Sequence, residues 1–374
     1  MKFIEYKLSE LGEIVGGSTP FTKNESYYGG DIPWLTPKDL ANFNGRYINF
    51  GERNITEAGY KSTSVKMLPI NSVLFSSRAP IGYVAINNKN EVCTNQGFKS
   101  VIPNSKTDYM FLYYLLKYNK NKIEAMGSGT TFKEVSSTVM KNIIVNVPEA
   151  KEDQIKIGKI LSKIDDKIEL NTQTNDNLLN IGMEFLKEDF KNVVENEILS
   201  NVIKFVKGKK PLDISNETQE GYDKYLTIAC LNGQELNYAD STKAILSNND
   251  LLMVMDGASS GDVYYGGKGV VGSTLSRVDC IDNNYIPEFI YFVMKYYKKL
   301  IQSKNTGSAI PHTDKVFVGT LEIPKLLKEQ QEKYKILLNK IIQNINENEI
   351  LTQLRDTLLP KLMNGEIDLD KIKI

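Results

Sequence analysis

The sequence predicts an α+β protein built as an internal, pseudo-twofold repeat. Two similar mixed α/β globular domains are separated by two long helices that pack as an antiparallel coiled coil. Three observations support this fold class. Two long stretches carry apolar residues at helical spacing, and segments in the two halves of the chain match at a nearly constant offset. Between these stretches, strand-like and helix-like segments show little regular βα alternation, which argues against a doubly wound sheet.

The first long stretch runs from Pro148 to about Phe190 and contains no internal proline. Its apolar residues recur at steps of three, four and seven, which places them on one stripe of a helix. At about 1.5 Å per residue the helix extends roughly 60 Å. One small globule cannot bury so long a stripe, so a second helix is expected alongside. The predicted stripe comprises Ile157, Ile160, Leu161, Ile164, Ile168, Leu178, Ile181 and Phe185.

The second long stretch runs from Pro324 to about Leu362 and is the expected partner. Each stretch begins with a proline followed six residues later by a glutamine, Gln154 in the first and Gln330 in the second. Antiparallel packing follows because the two helices are connected through a whole domain. Both stretches turn polar in the middle (NTQTND and NINENE), which we interpret as a waist or a partner-docking point. The second stripe comprises Leu338, Ile341, Ile345, Leu351, Leu354 and Leu358.

The repeat extends outside the helices. Leu8 and Leu199, Pro20 and Pro211, and Leu35 and Leu226 are each 191 positions apart. Further along, the FLYY and FIYF segments match at an offset of 178. A constant offset with a few steps is typical of domain duplication with loop insertions. The predicted boundaries are 1–147 for the first globular domain, 148–192 for the first helix, 193–323 for the second domain, and 324–374 for the second helix and tail.

Composition excludes several classes of protein. The 374 residues include 41% hydrophobic and 25% charged residues, which is ordinary for a globular protein. No apolar run approaches the length of a transmembrane helix. Three scattered cysteines without a CxxC pair indicate neither a disulfide framework nor a zinc site, and they fit a reducing cytoplasm. The formal net charge is zero, which weighs against a wholly basic surface but leaves room for a local basic groove.

Motifs for catalysis and cofactor binding are missing from the sequence. The GxGxxG at Gly267–Gly272 precedes a strand-like segment instead of a helix, so we interpret it as a tight hairpin and not as a dinucleotide site. His312 is the only histidine, which gives poor support to metal hydrolysis or to Ser/His and Cys/His catalysis. We therefore predict no enzyme activity, no metal site and no cofactor on this chain.

Polar loops at matching places in the two copies are the candidate functional residues. Arg and Lys neutralise phosphate or bind guanine, Asn and Gln bind adenine, and hydroxyl groups hold phosphate oxygens. Any one of these residues, taken alone, is better explained as part of an ordinary solvated turn, so the hypothesis rests on the set. The candidates are Ser76, Arg78, Asn95, Gln96, Lys99, Thr130, Thr131 and Lys133 in the first copy, and Lys207, Lys209, Lys210, Ser259, Ser273, Arg277, Ser308, His312 and Lys315 in the second.

Taken together, KLSELGEIVGGSTP, GDIPWLTPKDL, the Ser/Thr-Gly loops and VPEAKEDQIKIGKILSKIDDKIELN resemble the specificity (S) subunit of type I restriction–modification systems over nearly the whole chain. The pattern from Ile157 through Leu161 to Ile164 and Asp165 is specific in the first copy. The second copy lacks the aspartate, so its match depends on Pro324, Gln330 and position.

The resemblance implies two target recognition domains that each bind half of a split double-stranded DNA sequence. It also implies a non-catalytic subunit that assembles with two methyltransferase subunits and with restriction subunits. In such complexes S-adenosylmethionine and ATP bind to the partner subunits. A spacer of constant length between two similar domains matches the pseudo-twofold symmetry of duplex DNA. The alternatives are a coiled-coil interaction scaffold that does not bind DNA, and a fragment of a fused restriction–methylation enzyme.

Overall fold

A computed structural model of the chain describes residues 1–41, 43, 45–129, 133–307 and 309–369. The chain forms two compact units. Unit 1 consists of Met1–Leu170 with Asn348–Ile374, and unit 2 consists of Asn171–Glu347. Each unit therefore contains one globular domain and a segment of each long helix. Across the described ranges, every helix is too short or too polar to serve as a membrane span.

Unit 1 combines short strands and short helices. Its strands are β1 (Phe3–Lys7), β2 (Gly12–Gly16), β3 (Tyr28–Ile32), β4 (Trp34–Leu35), β5 (Val73–Ser77), β6 (Ile81–Ile86), β7 (Cys93–Thr94), β8 (Lys99–Pro103) and β9 (Ile144–Pro148). Its helices are α1 (Leu8–Leu11), α2 (Pro37–Leu40), α3 (Glu57–Lys61), α4 (Tyr109–Tyr118), α5 (Lys120–Ala125), α6 (Ser137–Asn142) and the first part of α7 (Lys151–Asn192). Strands β2, β8, β5 and β6 form, in that order, an antiparallel sheet, while β1 pairs with β9 and β4 runs parallel to β7.

Unit 2 has a similar order of elements, with an additional strand (Tyr238–Asp240) before its central strands. Its strands are β10 (Asn196–Ile198), β11 (Ile203–Lys207), β12 (Ile214–Ser215), β13 (Tyr222–Leu226), β14 (Tyr238–Asp240), β15 (Leu246–Val254), β16 (Val263–Val271), β17 (Leu275–Cys280) and β18 (Glu322–Pro324). Its helices are α8 (Leu199–Val202), α9 (Ile228–Leu231), α10 (Pro287–Tyr296), α11 (Lys298–Ser303), α12 (Lys315–Gly319) and the first part of α13 (Lys328–Met363). The main sheet has the order β11-β17-β15-β16-β13-β14-β12.

Strand pairing confirms the internal repeat. The β2-β8-β5-β6 order of unit 1 recurs as β11-β17-β15-β16 in unit 2, and the β1–β9 pair recurs as β10–β18. The parallel pair β4–β7 recurs where β13 meets the end of β16. Strand β16 of unit 2 therefore makes both of the pairings that β6 and β7 make separately in unit 1. As a result, the strands that form two separate sheets in unit 1 belong to one sheet in unit 2.

Two expectations about local structure are wrong. The glycine-rich segment 267–272 is not a tight hairpin, because β15 lies between β16 and β17 and pairs with both. The sequence also predicts a short helix over residues 9–15 that is closed by Gly16 and Gly17. The helix instead ends at Leu11, because residues 12–16 form β2 and pair with β8. In both cases a long-range strand pairing decides the local conformation, and the segment's own glycines give no sign of it.

The core of each unit lies under its α4-type helix. In unit 1, Phe111 and Tyr114 of α4 are fully buried and pack with Ile157 and Leu161 of α7. In unit 2, Phe289 and Phe292 of α10 are buried with other residues of both long helices, namely Leu186, Tyr334 and Leu338. The apolar stripes of α7 and α13 therefore serve two purposes, since they pair with each other and also close the core of a domain.

The long helices run antiparallel within each unit. In unit 1, the Asp165 carboxylate binds Arg355 at 2.9 Å, and the Asn348 side chain donates to the Ile168 carbonyl at 3.3 Å. As position increases along α7, the partner position on α13 decreases. In unit 2 the same trend runs from the Asn175–Asn344 amide pair at 2.8 Å to the Asp189–Lys333 ion pair at 2.7 Å. Both observations confirm the predicted antiparallel pairing.

The polar middle of α7 is continuous helix. Within unit 2, Asn171 is 3% exposed and donates to the Glu347 carboxylate at 2.8 Å, and Asn344 is 2% exposed. Buried amides in a helix pair restrict its register, because a shifted register leaves them unpaired. The NTQTND and NINENE segments thus contain the polar contacts that align the two helices.

A buried glutamine connects each long helix to its domain. In unit 1, Gln154 accepts from the Asp108 N–H at 3.0 Å and donates to the carbonyl of Pro148 at 3.2 Å. In unit 2 the same contacts are made by Gln331, which accepts from the Ile286 N–H at 3.0 Å and donates to Leu326 at 3.0 Å. The expected equivalence of Gln154 with Gln330 is therefore wrong by one residue, because the second helix entry has one additional position.

Replacing Gln331 with alanine is expected to lower the free energy of unfolding by about 1–3 kcal/mol, since the side chain is fully buried and its partners would be left unsatisfied. Gln330→Ala is the matched control. Gln330 is exposed and accepts a bond only from the nearby Leu327 N–H, so its loss is expected to stay within about 0.5 kcal/mol. Urea titrations of both variants measure the difference. Equal losses would contradict the assignment of Gln331 as the connecting residue.

Candidate nucleic-acid interface

In unit 1 the predicted polar loops meet at one end of the main sheet. The Ser77 N–H donates to the Gly97 carbonyl at 2.7 Å, and the Val135 N–H donates to the Ser77 carbonyl at 3.0 Å. The chain around residue 134 also pairs with residues 78 and 128 as isolated bridges. Three segments that are distant in sequence, following β5, preceding β8 and preceding α6, are thereby held side by side.

An ion cluster joins these loops. The Glu134 carboxylate lies 3.2 Å from the Lys99 ammonium and 3.6 Å from the Arg78 guanidinium. Lys99 is only 8% exposed, so its charge is compensated inside the protein. Arg78 is 34% exposed and keeps one face toward solvent. Lys99 and Arg78 therefore shape the loops, and only Arg78 is placed to contact a ligand as well.

The remaining candidates of unit 1 divide into internal and exposed side chains. Ser76 is fully buried, and its hydroxyl donates to the Pro80 carbonyl at 2.8 Å. Asn95 accepts from the Gly97 N–H at 2.8 Å and forms the turn. Gln96 and Lys133 are exposed, and Gln96 accepts a hydrogen bond from the Thr19 hydroxyl. Thr130 and Thr131 lie outside the described residues.

Unit 2 builds the same junction with the charges exchanged. The chain at Asp256 bridges to His312, as Arg78 bridges to Glu134 in unit 1. The Asp256 carboxylate lies 2.7 Å from His312 Nδ1 and 3.2 Å from the Lys207 ammonium. Burial raises the pKa of Asp256, but His312 and Lys207 outweigh it and hold the pKa below its usual value. Lys315 lies near this cluster, and its pKa is lowered by burial and by Lys207.

The other candidates of unit 2 are only partly available. Arg277 binds both oxygens of Asp279, at 2.6 and 3.0 Å, so its guanidinium is largely used internally. Ser259 is half-buried in the turn after β15, and Ser273 hydrogen-bonds the Tyr225 hydroxyl. Ser308 lies outside the described residues. Lys209 and Lys210, by contrast, are exposed and have no ion pair within the described ranges.

A glycine sets the position of the loop after the first sheet strand in each unit. A Cβ on Gly17 would lie 2.1 Å from the carbonyl oxygens of Thr94 and Asn95. A Cβ on Gly208 would lie 2.2 Å from the Gly272 oxygen. Any larger residue would push the loop away, so these close approaches explain why GGSTP and GKKP match in the two copies.

Each unit thus presents exposed polar or basic side chains on a rigid junction of loops. The exposed members are Gln96 and Lys133 in unit 1, where the half-buried Thr19 lies beside Gln96, and Lys207, Lys209, Lys210 and His312 in unit 2. Amide and hydroxyl groups suit base edges, and ammonium groups suit phosphates. Among the described residues, no group of three or more His, Cys, Asp or Glu side chains could hold a metal ion.

A comparison with known protein families divides the chain at the same place as the strand pairing does. The family model for the type I restriction modification DNA specificity domain matches twice, over residues 2–180 and 193–356. The chain belongs to this family. Each match contains one globular domain and most of the helix that follows it, which is the repeat unit seen in the strand pairing.

Individual specificity subunits support this assignment. The chain is 32% identical to the type I restriction enzyme MjaIX specificity subunit of Methanocaldococcus jannaschii, with 98% of this chain and 94% of the relative covered. It is 30% identical to the MjaVIII specificity subunit of the same organism over 44% of this chain and 40% of the relative. The solved S subunit of a type I restriction–modification system from M. genitalium shares the fold, with a TM-score of 0.62, 18% identity, and coverage of 97% and 96%.

The helix residues of this specificity subunit fall into two groups. Ile157, Leu161, Leu338 and Ile341 are buried, while Ile160, Ile164, Ile168 and Leu351 are half-buried. Ile345 and Leu354 are 45% and 46% exposed, contrary to the expected stripe, as are Ile181 and Phe185 at 43% and 36%. The polar residues Asn171 and Asn344 and the aromatic Tyr334 take the buried places instead. Periodicity located the stripe but could not give its width, which the domain cores determine.

Sequence reasoning missed the Asp165 cluster of unit 1. The Asp165 carboxylate accepts from the Tyr114 hydroxyl at 2.5 Å and from Arg355 at 2.9 Å, and Arg46 lies 3.9 Å away. Burial acts to lower the pKa of Arg46, but Tyr114 and Asp166 outweigh this and raise it. The signal was the aspartate of the ILSKIDD segment, which marked the family resemblance but not the contact.

Proposed function

We propose that this chain supplies DNA sequence specificity to a type I restriction–modification complex. The loop junction of unit 1 binds one half of a bipartite double-stranded target, and that of unit 2 binds the other half. The observation that carries the proposal is that both units, with the same strand order, assemble loops from the same three places into a junction with exposed polar side chains.

Differences between the two junctions favour two different half-sites. Unit 1 presents the Gln96 amide beside Thr19, a combination suited to an adenine edge. Unit 2 presents Lys207 and His312 around the Asp256 carboxylate. A duplicated DNA-binding domain can recognise a different half-site if it keeps the same backbone and changes the side chains at equivalent positions. The two loop junctions differ in this way.

In this proposal the chain is not catalytic. Two methyltransferase subunits modify adenine and restriction subunits cleave, and S-adenosylmethionine and ATP bind to those partners. The exposed apolar residues Ile345 and Leu354 on α13 are available for contacts with partner subunits. The complex acts on cytoplasmic DNA.

Mapping methylated adenines in cells tests the proposal. Cells with the chain are expected to show one bipartite motif that cells lacking it do not show. The Gln96→Ala variant should relax the first half of the motif and keep the second, because a bidentate amide contact to adenine contributes about 1–3 kcal/mol of discrimination. Gln330→Ala, which changes an exposed glutamine on the helix, is the control and should leave the whole motif unchanged.

Two results would overturn the proposal. If no motif depended on the chain, the coiled-coil scaffold without DNA binding would be the better interpretation. If the purified chain methylated DNA without partners, the non-catalytic role would be wrong.

A further inference from the structure

We propose that a basic notch in unit 2, formed by Lys209, Lys210 and Lys243, binds the phosphodiester backbone of DNA beside the second half-site. This inference rests on the proposed function and adds an anchoring site that has no counterpart at the matching loop of unit 1. The class of ligand is a phosphodiester group of duplex DNA, bound without regard to base sequence.

The notch is a concave feature between two loops. It has a volume of about 240 Å³ and is also lined by Pro211, Asp240 and Val270. One wall is the loop that follows β11, and the other is the segment after β14. This volume admits a phosphate group together with part of its hydration shell, since one water occupies about 30 Å³ of liquid.

The charge of the notch is positive. Three lysines (Lys209, Lys210 and Lys243) and one carboxylate (Asp240) line the notch, so the lysines outnumber the acid by two. No ion pair to Lys209, Lys210 or Lys243 exists among the described residues. Uncompensated lysines around a concavity raise the local concentration of anions.

The backbone holds the notch next to the loop junction. The Gly208 N–H donates to the Leu275 carbonyl at 3.0 Å, so Lys209 follows directly after a fixed point. Val270, on the notch wall, is the penultimate residue of β16 and leads into the turn that contains Ser273. A phosphate in the notch would therefore lie beside the loops assigned to base contacts.

Unit 1 has no charged residue at the two positions that match Lys209 and Lys210. Ser18 and Thr19 stand where Lys209 and Lys210 stand, 191 positions later, and Pro20 matches Pro211. The loop after β2 therefore offers hydroxyl groups, one of which is bonded to Gln96. The two halves of the target are thus expected to be held differently at this loop, by hydroxyl groups in unit 1 and by ammonium groups in unit 2.

Salt dependence of binding tests the notch. The full chain, in complex with its methyltransferase partner, is titrated with its bipartite duplex and with a scrambled duplex between 50 and 200 mM salt. The K209Q/K210Q/K243Q variant is expected to reduce the slope of log affinity against log salt by about 2–3, since each phosphate neutralised contributes roughly 0.9. The wild-type complex would then lose about 16- to 64-fold more affinity than the variant over this fourfold change in salt.

Two control variants distinguish a specific effect of the notch lysines from a general effect of lowering the positive charge of the protein. The K191Q/K204Q/K328Q variant removes three exposed lysines of unit 2 outside the notch and should keep the wild-type slope. The K209R/K210R/K243R variant keeps the charge and should also keep it. The reduction should be equal on the specific and the scrambled duplex, because phosphate contacts do not depend on sequence.

The outcomes are distinct. An unchanged slope in K209Q/K210Q/K243Q, or the same reduction in K191Q/K204Q/K328Q, overturns the notch while leaving the specificity function intact. A reduction confined to the specific duplex also overturns it, because the lysines would then contact bases. If the wild-type complex shows no preference for its bipartite duplex, the proposed function fails, and the notch fails with it as an anchor for a half-site.

Discussion

Asp165→Asn is expected to lower the free energy of unfolding of unit 1 by about 1–3 kcal/mol, because it removes a carboxylate that both Arg46 and Arg355 contact and that the Tyr114 hydroxyl donates to. Arg46 is 4% exposed and Arg355 is 20% exposed, so neither can recover full hydration once the charge is lost. The Tyr114 hydroxyl keeps an acceptor in the asparagine oxygen, so the loss reports mainly on charge. The loss stays within this range because Arg46 keeps its ion pair with Asp166 and Arg355 keeps its ion pair with Asp356.

The chain offers a selective probe for this measurement. Trp34 is the only tryptophan, it is 5% exposed, and it lies in unit 1. Its fluorescence during urea titration therefore follows the unfolding of unit 1 alone, which avoids treating a two-unit chain as a single transition. Asp31→Asn, at an exposed aspartate of β3 in unit 1, is the control and should change stability by less than about 0.5 kcal/mol. Equal midpoints for the two variants would show that the cluster does not stabilise unit 1.

In unit 2, a different set of residues links α7 to α13. Asp189 of α7 accepts from the Tyr334 hydroxyl at 2.6 Å and lies 2.7 Å from the Lys333 ammonium. In unit 1 the matching chemistry, a carboxylate bonded to a buried tyrosine and a cation, brings the tyrosine from α4 instead of from the partner helix. The second copy therefore does not need an aspartate at the position of Asp165, which explains why the ID pattern is missing from α13.

Repetition and periodicity carried most of the fold prediction. The repeat, seen for example in the 191-residue offset between Pro20 and Pro211, is supported by matches at many positions, and helical spacing is supported over many turns. A wrong assignment at one position therefore does not change either prediction. The assignment of Gln330 failed because a single inserted residue moves the buried amide to Gln331, and neither glutamine differs in type.

The candidate site was harder to predict for a related reason. We predicted that Ser76, Lys99 and Arg277 bind nucleic acid because of their polar or basic side chains. Each of these side chains instead forms a hydrogen bond or an ion pair with another residue of the protein. The partner of Lys99 is Glu134, which lies 35 positions away in a loop whose approach depends on strand pairing. Composition identifies loops able to bind nucleic acid, whereas burial decides which of their side chains remain exposed.

Inserting one heptad into α7 after Leu170 and one into α13 after Glu347 is expected to lengthen the gap between the two half-sites by about 3 base pairs. Seven residues add roughly 10 Å of helix, and duplex DNA rises about 3.4 Å per base pair. Seven residues also keep the apolar stripes nearly in phase, since the drift is only about 20° per heptad. This prediction depends on the proposed function, in which helix length sets the gap.

Methylation mapping in cells measures the result, because the bases of each half-site and the number between them are read in one experiment. Both half-sites should stay unchanged, since neither loop junction is altered. Inserting the heptad into α7 alone is the control. A single insertion puts the Asp165–Arg355 contact of unit 1 out of register with the Asn175–Asn344 contact of unit 2, so one set of contacts must break and methylation should fall sharply. A double insertion that left the gap unchanged would mean that the helices connect the two readers without setting their spacing.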